Sequence, residues 1–238
     1  MLIYLMLKSL LRNKWNMVKL FLISPVNAVL PVILLSGVIG TNIDKTIILK
    51  ICLWSCFYFT IFEIISRRME FFGSEKIQDV LLSRISLHKY NFYQTVAVNI
   101  LYIPSLLITL YLYDFIFHLN IDFIFAIICA FFVFINNVIV SNIMLAIHLK
   151  TQNYFNRFNF GMDIIYIISG VLYPISIIPR FLRGVSQLIP ITHVISFSEG
   201  NVSHIEIAIL VFLIMMAFAL WNTEKSIKKY ILSGGFYE

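Results

Sequence analysis

Side chains that could do chemistry are few and badly placed for it. Five histidines, His88, His118, His148, His193 and His204, are dispersed, and no two share one helix face at metal-ligand spacing. Cys52, Cys56 and Cys129 all fall inside apolar stretches, so neither a disulfide framework nor a metal-spaced pair is expected. Cys52 and Cys56 can share a helix face simply as two small apolar side chains. The sequence holds no H-E-x-x-H, no G-x-S-x-G elbow, no G-x-G-x-x-G and no G-x-x-x-x-G-K-[ST] loop. An enzyme is therefore not expected, and neither a metal nor a cofactor is expected in this chain. What remains is a handful of polar residues in apolar surroundings: Asn27, Lys50, Glu63, Asn136, Asn137, Asn142 and Asp163.

The surroundings explain why those residues matter. Of 238 residues, 60% are hydrophobic and 13% charged, against about 25% charged in an ordinary globular domain. Mean hydropathy is +0.90. A soluble domain of this length cannot cover itself with so few polar side chains, so the chain reads as a polytopic membrane protein, all-α, with no room for a folded soluble domain. An amide buried in hydrocarbon without a partner costs roughly 2–7 kcal/mol, so Asn136, Asn137 and Asn142 should face the bundle, where interhelical hydrogen bonding outweighs substrate contact as their role. Glu63 and Lys50 stand near opposite ends of one span, from which both can snorkel, and Asp163 favours a helix N-terminus. A path through Asn27, Glu63, Asn136 and Asn137 is the corresponding transport reading.

Six spans are expected, at about 20–39, 47–66, 92–113, 121–145, 161–178 and 204–221, in one transmembrane domain covering 1–238. Residues 1–19 set Lys8, Arg12 and Lys19 among Leu and Ile at helical spacing, the pattern of an interfacial helix. They lack a basic n-region and a small-residue cleavage site, so they are expected to be retained. Pro25 and Pro31 should kink the first span. Within 67–91, Ile77, Val80, Leu81 and Ile85 form one stripe of a short amphipathic helix that Ser74 can cap. Residues 146–160 read as a polar loop. Residues 179–200 are too apolar for a solvated loop and too broken by Pro179, Gly184 and Pro190 for a crossing, and read as a re-entrant segment.

Lys and Arg divide fourteen to three between the two sides of this arrangement. The positive-inside rule then places both termini and the 67–91 interval in the cytoplasm, which an even number of spans satisfies. The formal charge of +6 is scattered over segment ends, so it speaks for membrane topology and against nucleic acid. Asn201-Val202-Ser203 is a glycosylation sequon by pattern.

Ser169 to Gly200, SGVLYPISIIPRFLRGVSQLIPITHVISFSEG, resembles the most recognisable segment of ABC-2-type transporter permeases. Ser169, Gly170, Tyr173, Pro174, Pro179, Pro190, Thr192 and His193 occupy the family's small-Gly-apolar-aromatic-Pro, second Pro and Pro-polar-pair places, while Glu199 and Gly200 stand near the usual Arg. Glu75 to Ser86, EKIQDVLLSRIS, is similar to the family's cytoplasmic coupling segment, with Glu75-Lys76 for Gly-Thr, Gln78 at the acidic place and Arg84 for Pro. Leu232 to Gly235 reads LSGG, the opening of the ABC ATPase signature, but without a phosphate loop upstream it is a chance match.

The resemblance implies a permease subunit of an ATP-binding cassette exporter in a bacterial plasma membrane. A second permease chain, identical or a paralogue, and a separate ATPase subunit carrying ATP and Mg are implied as partners, besides membrane lipid. Coupling to the ATPase falls on the helix 74–86, through Glu75, Gln78, Asp79, Leu82 and Arg84. An external gate falls on Tyr173, Pro174, Pro179, Phe181, Leu182, Leu188 and Pro190. The aromatic-rich interior favours an amphipathic or lipidic cargo such as a drug, a peptide or a lipid-linked glycan. The alternative is a self-contained ion-coupled secondary transporter or channel using Glu63, Lys50 and the asparagines, against which no inverted repeat is visible.

Overall fold

A computed structural model of the chain describes residues 2–12, 14–18, 20, 26, 30, 44–72, 85–151, 154–171, 174–201 and 205–233. Apart from Leu20, Val26 and Leu30, the expected first span at 20–39, with Asn27, lies outside the described residues, as do the coupling residues Glu75, Gln78, Asp79, Leu82 and Arg84, and Tyr173. Among the described residues every regular element is helical: α1 (Leu2–Arg12), α2 (Lys14–Val18), α3 (Lys45–Phe72), α4 (Leu87–Phe117), α5 (Phe123–Lys150), α6 (Tyr154–Ile168), a 3₁₀ turn (Ile175–Ile177), α7 (Arg180–Gln187), α8 (Pro190–Ser198) and α9 (Ile205–Ser233).

Four of these, α3, α4, α5 and α9, are long and apolar enough to cross a membrane. At 1.5 Å per residue the 28 residues of α3 reach about 42 Å, beyond the ~30 Å of a hydrocarbon core. α6 differs from the fifth span expected at 161–178. It has 15 residues, about 22 Å, and ends before Ser169-Gly170, where Gly170 takes φ 86°. The stretch after it is the 3₁₀ turn and the α7–α8 hairpin rather than a continued helix.

α5 is the hub, packing against α3, α4, α8 and α9. Burial divides the helices unequally: 72% of the apolar stretch of α3 is buried, against 11% of that of α9. α3 is therefore enclosed and α9 peripheral, its Ile209, Leu213, Ile214 and Trp221 turned outward. One stripe of α9, made of Phe212, Ala219, Thr223, Ser226 and Tyr230, is buried, at the three- and four-residue steps that keep one helical face inward. α1 packs on α4, with Ile3, Met6 and Leu7 half-buried and Leu10 buried at the same spacing.

Local chemistry sets the ends. Ser86 caps α4, its Oγ accepting from Lys89 N at 3.4 Å. Asp122 caps α5, accepting from Ile124 N and Phe125 N at 3.0 and 3.1 Å, while Asp114 accepts from Ile121 N at 3.0 Å. The turn between α4 and α5 is thus held by two carboxylates, and His118 and Asn120 take its left-handed positions.

Several expected boundaries move outward: α3 runs to Phe72 rather than 66, and α4 spans Leu87–Phe117 rather than 92–113. α5 runs through Lys150 where a loop is expected from 146, because Leu145 and Leu149 are buried with Phe71, Leu87 and Tyr230. α9 runs twelve residues past 221, because Thr223, Ser226 and Tyr230 keep facing inward and Glu224 pairs with Lys228 at 2.7 Å one turn on.

Candidate functional site

α4 carries Asn91, Thr95 and Asn99 four residues apart, and α5 carries Asn137 and Ser141 at the same step. Four-residue spacing puts each set on one helix face, and all five side chains are buried. They face one another. Asn137 Nδ2 donates to Asn99 Oδ1 at 2.7 Å, Ser141 Oγ donates to Asn91 Oδ1 at 3.0 Å, and the Thr95 and Ser141 hydroxyls lie 2.8 Å apart. Asn91 Nδ2 donates to Asn142 Oδ1 at 3.3 Å.

Two further helices join this spine. Arg68 of α3 is 1% exposed, and its Nη2 donates to Asn91 Oδ1 and to Ser141 O and Oγ at 3.3 and 3.2 Å. Thr223 of α9 donates to Asn142 O at 2.8 Å. One continuous hydrogen-bonded cluster therefore connects α3, α4, α5 and α9. A guanidinium in hydrocarbon is costly unless its donors are met, which is why amides and hydroxyls converge on it.

The expected path residues are placed as follows. Glu63 is buried and accepts from Arg67 Nε at 2.6 Å, an ion pair one turn apart rather than a carboxylate snorkelling to the boundary. Asn137 belongs to the spine. Asn136 is buried, and neither Oδ1 nor Nδ2 of its amide has a hydrogen-bond partner.

At the other end of α3, Lys50 departs from the snorkelling expectation. It is 5% exposed and pairs with Glu199 at 2.8 Å, while its Nζ also donates to Gly170 O at 3.3 Å. Glu199 caps the C-terminus of α8 and Gly170 follows α6, so a single ammonium ties the two ends of the hairpin region to α3. Arg183 of α7 donates from Nη2 to Ser176 O at 2.7 Å and Ile178 O at 3.2 Å, fixing the 3₁₀ turn.

Of the expected gate residues, Pro174 and Pro179 precede the 3₁₀ turn and α7 and are exposed, and Pro190 starts α8 and is buried. Phe181 and Leu188 are exposed at 78% and 65%, and Leu182 is half-buried. Among the described residues no group of His, Cys, Asp and Glu side chains is placed to hold a metal. The arrangement holds helices together and ties a hairpin down.

The sequence reading missed Arg68, Asn91, Thr95, Asn99, Ser141 and Glu199. For all but Arg68 and Glu199 a signal was present: polar residues repeating every four positions within apolar spans. No family model matches this chain, nor does any curated protein or solved structure.

Proposed function

We propose that the chain is the permease subunit of an ATP-binding cassette exporter of the ABC-2 type, crossing the membrane six times with both termini in the cytoplasm. It works with a second permease chain and a separate ATPase, and exports an amphipathic or lipidic substrate. The observation that carries this reading is the build of one bundle end. α6 stops short, and α7 and α8 return as a hairpin, with α8 seated on α5 and α3 and Lys50 of α3 adding an ion pair to its C-terminal end. A short helical hairpin packed on the bundle end and tied to it by a buried ion pair suits an external gate, which must open and reseat. α1, amphipathic and lying against α4, supports the interfacial role expected for residues 1–19. Glu63 is engaged by Arg67, which favours this reading over an ion-coupled transporter that needs Glu63 for its ion.

In this mechanism ATPase closure pushes on residues 74–86, shifts the spans against the partner protomer and releases the gate. The test is to purify the chain with the ATPase encoded beside its gene and measure ATP hydrolysis with and without added amphiphiles. A stable complex with amphiphile-stimulated hydrolysis is expected. Glu75→Gln, Asp79→Asn and Arg84→Gln should leave the complex able to hydrolyse ATP but lower its stimulation and transport; wild-type transport by all three removes the coupling assignment. Ion flux through vesicles holding this chain alone would favour the channel reading instead.

A further inference from the structure

Asp163 does not stand at the N-terminus of its helix: it is the tenth of the fifteen residues of α6, and its side chain is exposed. With Phe160, Ile164 and Ile167, exposed at 68%, 43% and 48%, it makes one stripe at three- and four-residue steps along the apolar stretch Phe158–Ile168. The depth of that stripe follows from α3. The Trp54 and Tyr166 rings meet at 5.1 Å, and the Asp163 carboxylate is close enough to act electrostatically on the Tyr58 hydroxyl. Tyr58 is the fourteenth of the 28 residues of α3, so the carboxylate lies near the middle of a span.

An ionised carboxylate at that depth calls for a counter-charge. Among the described residues Asp163 makes no ion pair and accepts no hydrogen bond. The cations of α3 beyond its first residue are committed elsewhere: Lys50 to Glu199, Arg67 to Glu63, and Arg68 to the asparagine spine. Arg157, six positions earlier in α6, is off the Asp163 face by helical spacing. Residues 20–43, which hold the expected first span, contain no Lys, Arg or His. A second identical copy would bring the same set and another carboxylate. The positive charge that suits this face therefore comes from outside the chain.

The surroundings say what kind of cation. A small inorganic ion wants several oxygen ligands, and among the described residues no group of His, Cys, Asp and Glu side chains is placed to hold a metal. One carboxylate beside aromatic rings suits a large, weakly hydrated organic cation, whose apolar body lies on the rings while its charge meets the carboxylate. Tyr58 is half-buried, and its ring adjoins those of Phe59 and Phe62, also half-buried, at 5.5 and 6.1 Å. We propose that the face made by Asp163 of α6 and Tyr58 of α3 binds a lipophilic cation, and that the amphipathic cargo of the exporter is of this class. That the cation is cargo rests on the export reading; that the face binds it does not.

The test titrates the full chain in lipid nanodiscs with tetraphenylphosphonium and with tetraphenylborate, ions of one shape and opposite charge, subtracting what empty nanodiscs bind. One saturable phosphonium site per chain is expected, about tenfold tighter than any site for the borate. Asp163→Asn takes a charge off an exposed position, so it should fold; it should weaken phosphonium binding about tenfold and leave the borate unchanged, while Asp163→Glu keeps the site. Glu206→Gln, in the first turn of α9, should change nothing. Equal binding of the two ions, the result for a carboxylate held neutral by a proton, overturns the proposal, as does phosphonium binding that survives Asp163→Asn. In the complex with the ATPase, phosphonium should stimulate hydrolysis in the wild type and not in Asp163→Asn. Stimulation by neutral amphiphiles only overturns the cargo assignment, and a chain that binds the cation selectively but engages no ATPase overturns the export reading and leaves the site.

Discussion

Asn91 and Asn136 are the same side chain at similar burial, one with both amide atoms hydrogen-bonded and the other with both unpartnered. Their replacement should differ in sign. Asn91→Leu strips the acceptor from a buried guanidinium and is expected to cost about 3 kcal/mol, whereas Asn136→Leu removes an amide that gains nothing and should be neutral or stabilising. Thermal unfolding of the detergent-solubilised variants reads this directly, and equal losses would remove the distinction. The Lys50–Glu199 pair makes a similar asymmetric case. Its side chains are 6% and 28% exposed, so Glu199→Ala strands a buried ammonium with Gly170 O, while Lys50→Met leaves a carboxylate that water already reaches. The first should cost about 3 kcal/mol and the second about 1 kcal/mol, measured by hydrogen exchange across 190–198.

At the scale of elements, the glycines separate strain from space. Gly200 has φ 78° with nothing within 4 Å of an added Cβ, so Gly200→Ala should cost about 1–2 kcal/mol through backbone conformation alone. Gly161 lies inside α6, also with open space, and Gly161→Ala should stabilise by about 0.5–1 kcal/mol. Circular dichroism melts distinguish the two. Hydropathy made α3, α4, α5 and α9 legible, because a long apolar run in a charged-poor chain admits one reading. It did not make the ends legible. Thr223 and Tyr230 look like tail residues until α5 lies beside them, and Leu145 and Leu149 look like the end of a span until Phe71 and Tyr230 cover them. The spine was half legible: Asn137 and Asn142 stood out as amides in a span, but Arg68 reads as a boundary charge beside Arg67, and only the approach of α4 and α5 makes it a core residue. Glu199, distant in sequence from Lys50, carries no local sign of its partner.

For the molecule as a whole, α3 is enclosed and α9 peripheral, and one end of the bundle can be traced through its contacts. Ser9 and Arg67 adjoin one cavity there, and Phe72 meets His148 and Tyr230 at the same end. The three native cysteines are free and buried, so labelling of single added cysteines has little background. Ser9→Cys and Lys228→Cys should react only from the cytoplasmic side of sealed vesicles, and Arg180→Cys only from the other. Labelling of the first two from opposite sides would refute an even number of spans. Lys50 has a last consequence, which is topological. By holding Gly170 O and Glu199 together it closes a loop of about thirty residues, much as a crosslink does, and closure of such a loop restricts every conformation of the segment between. The hairpin should consequently lose its order as one unit when that ammonium is withdrawn, instead of fraying from either end.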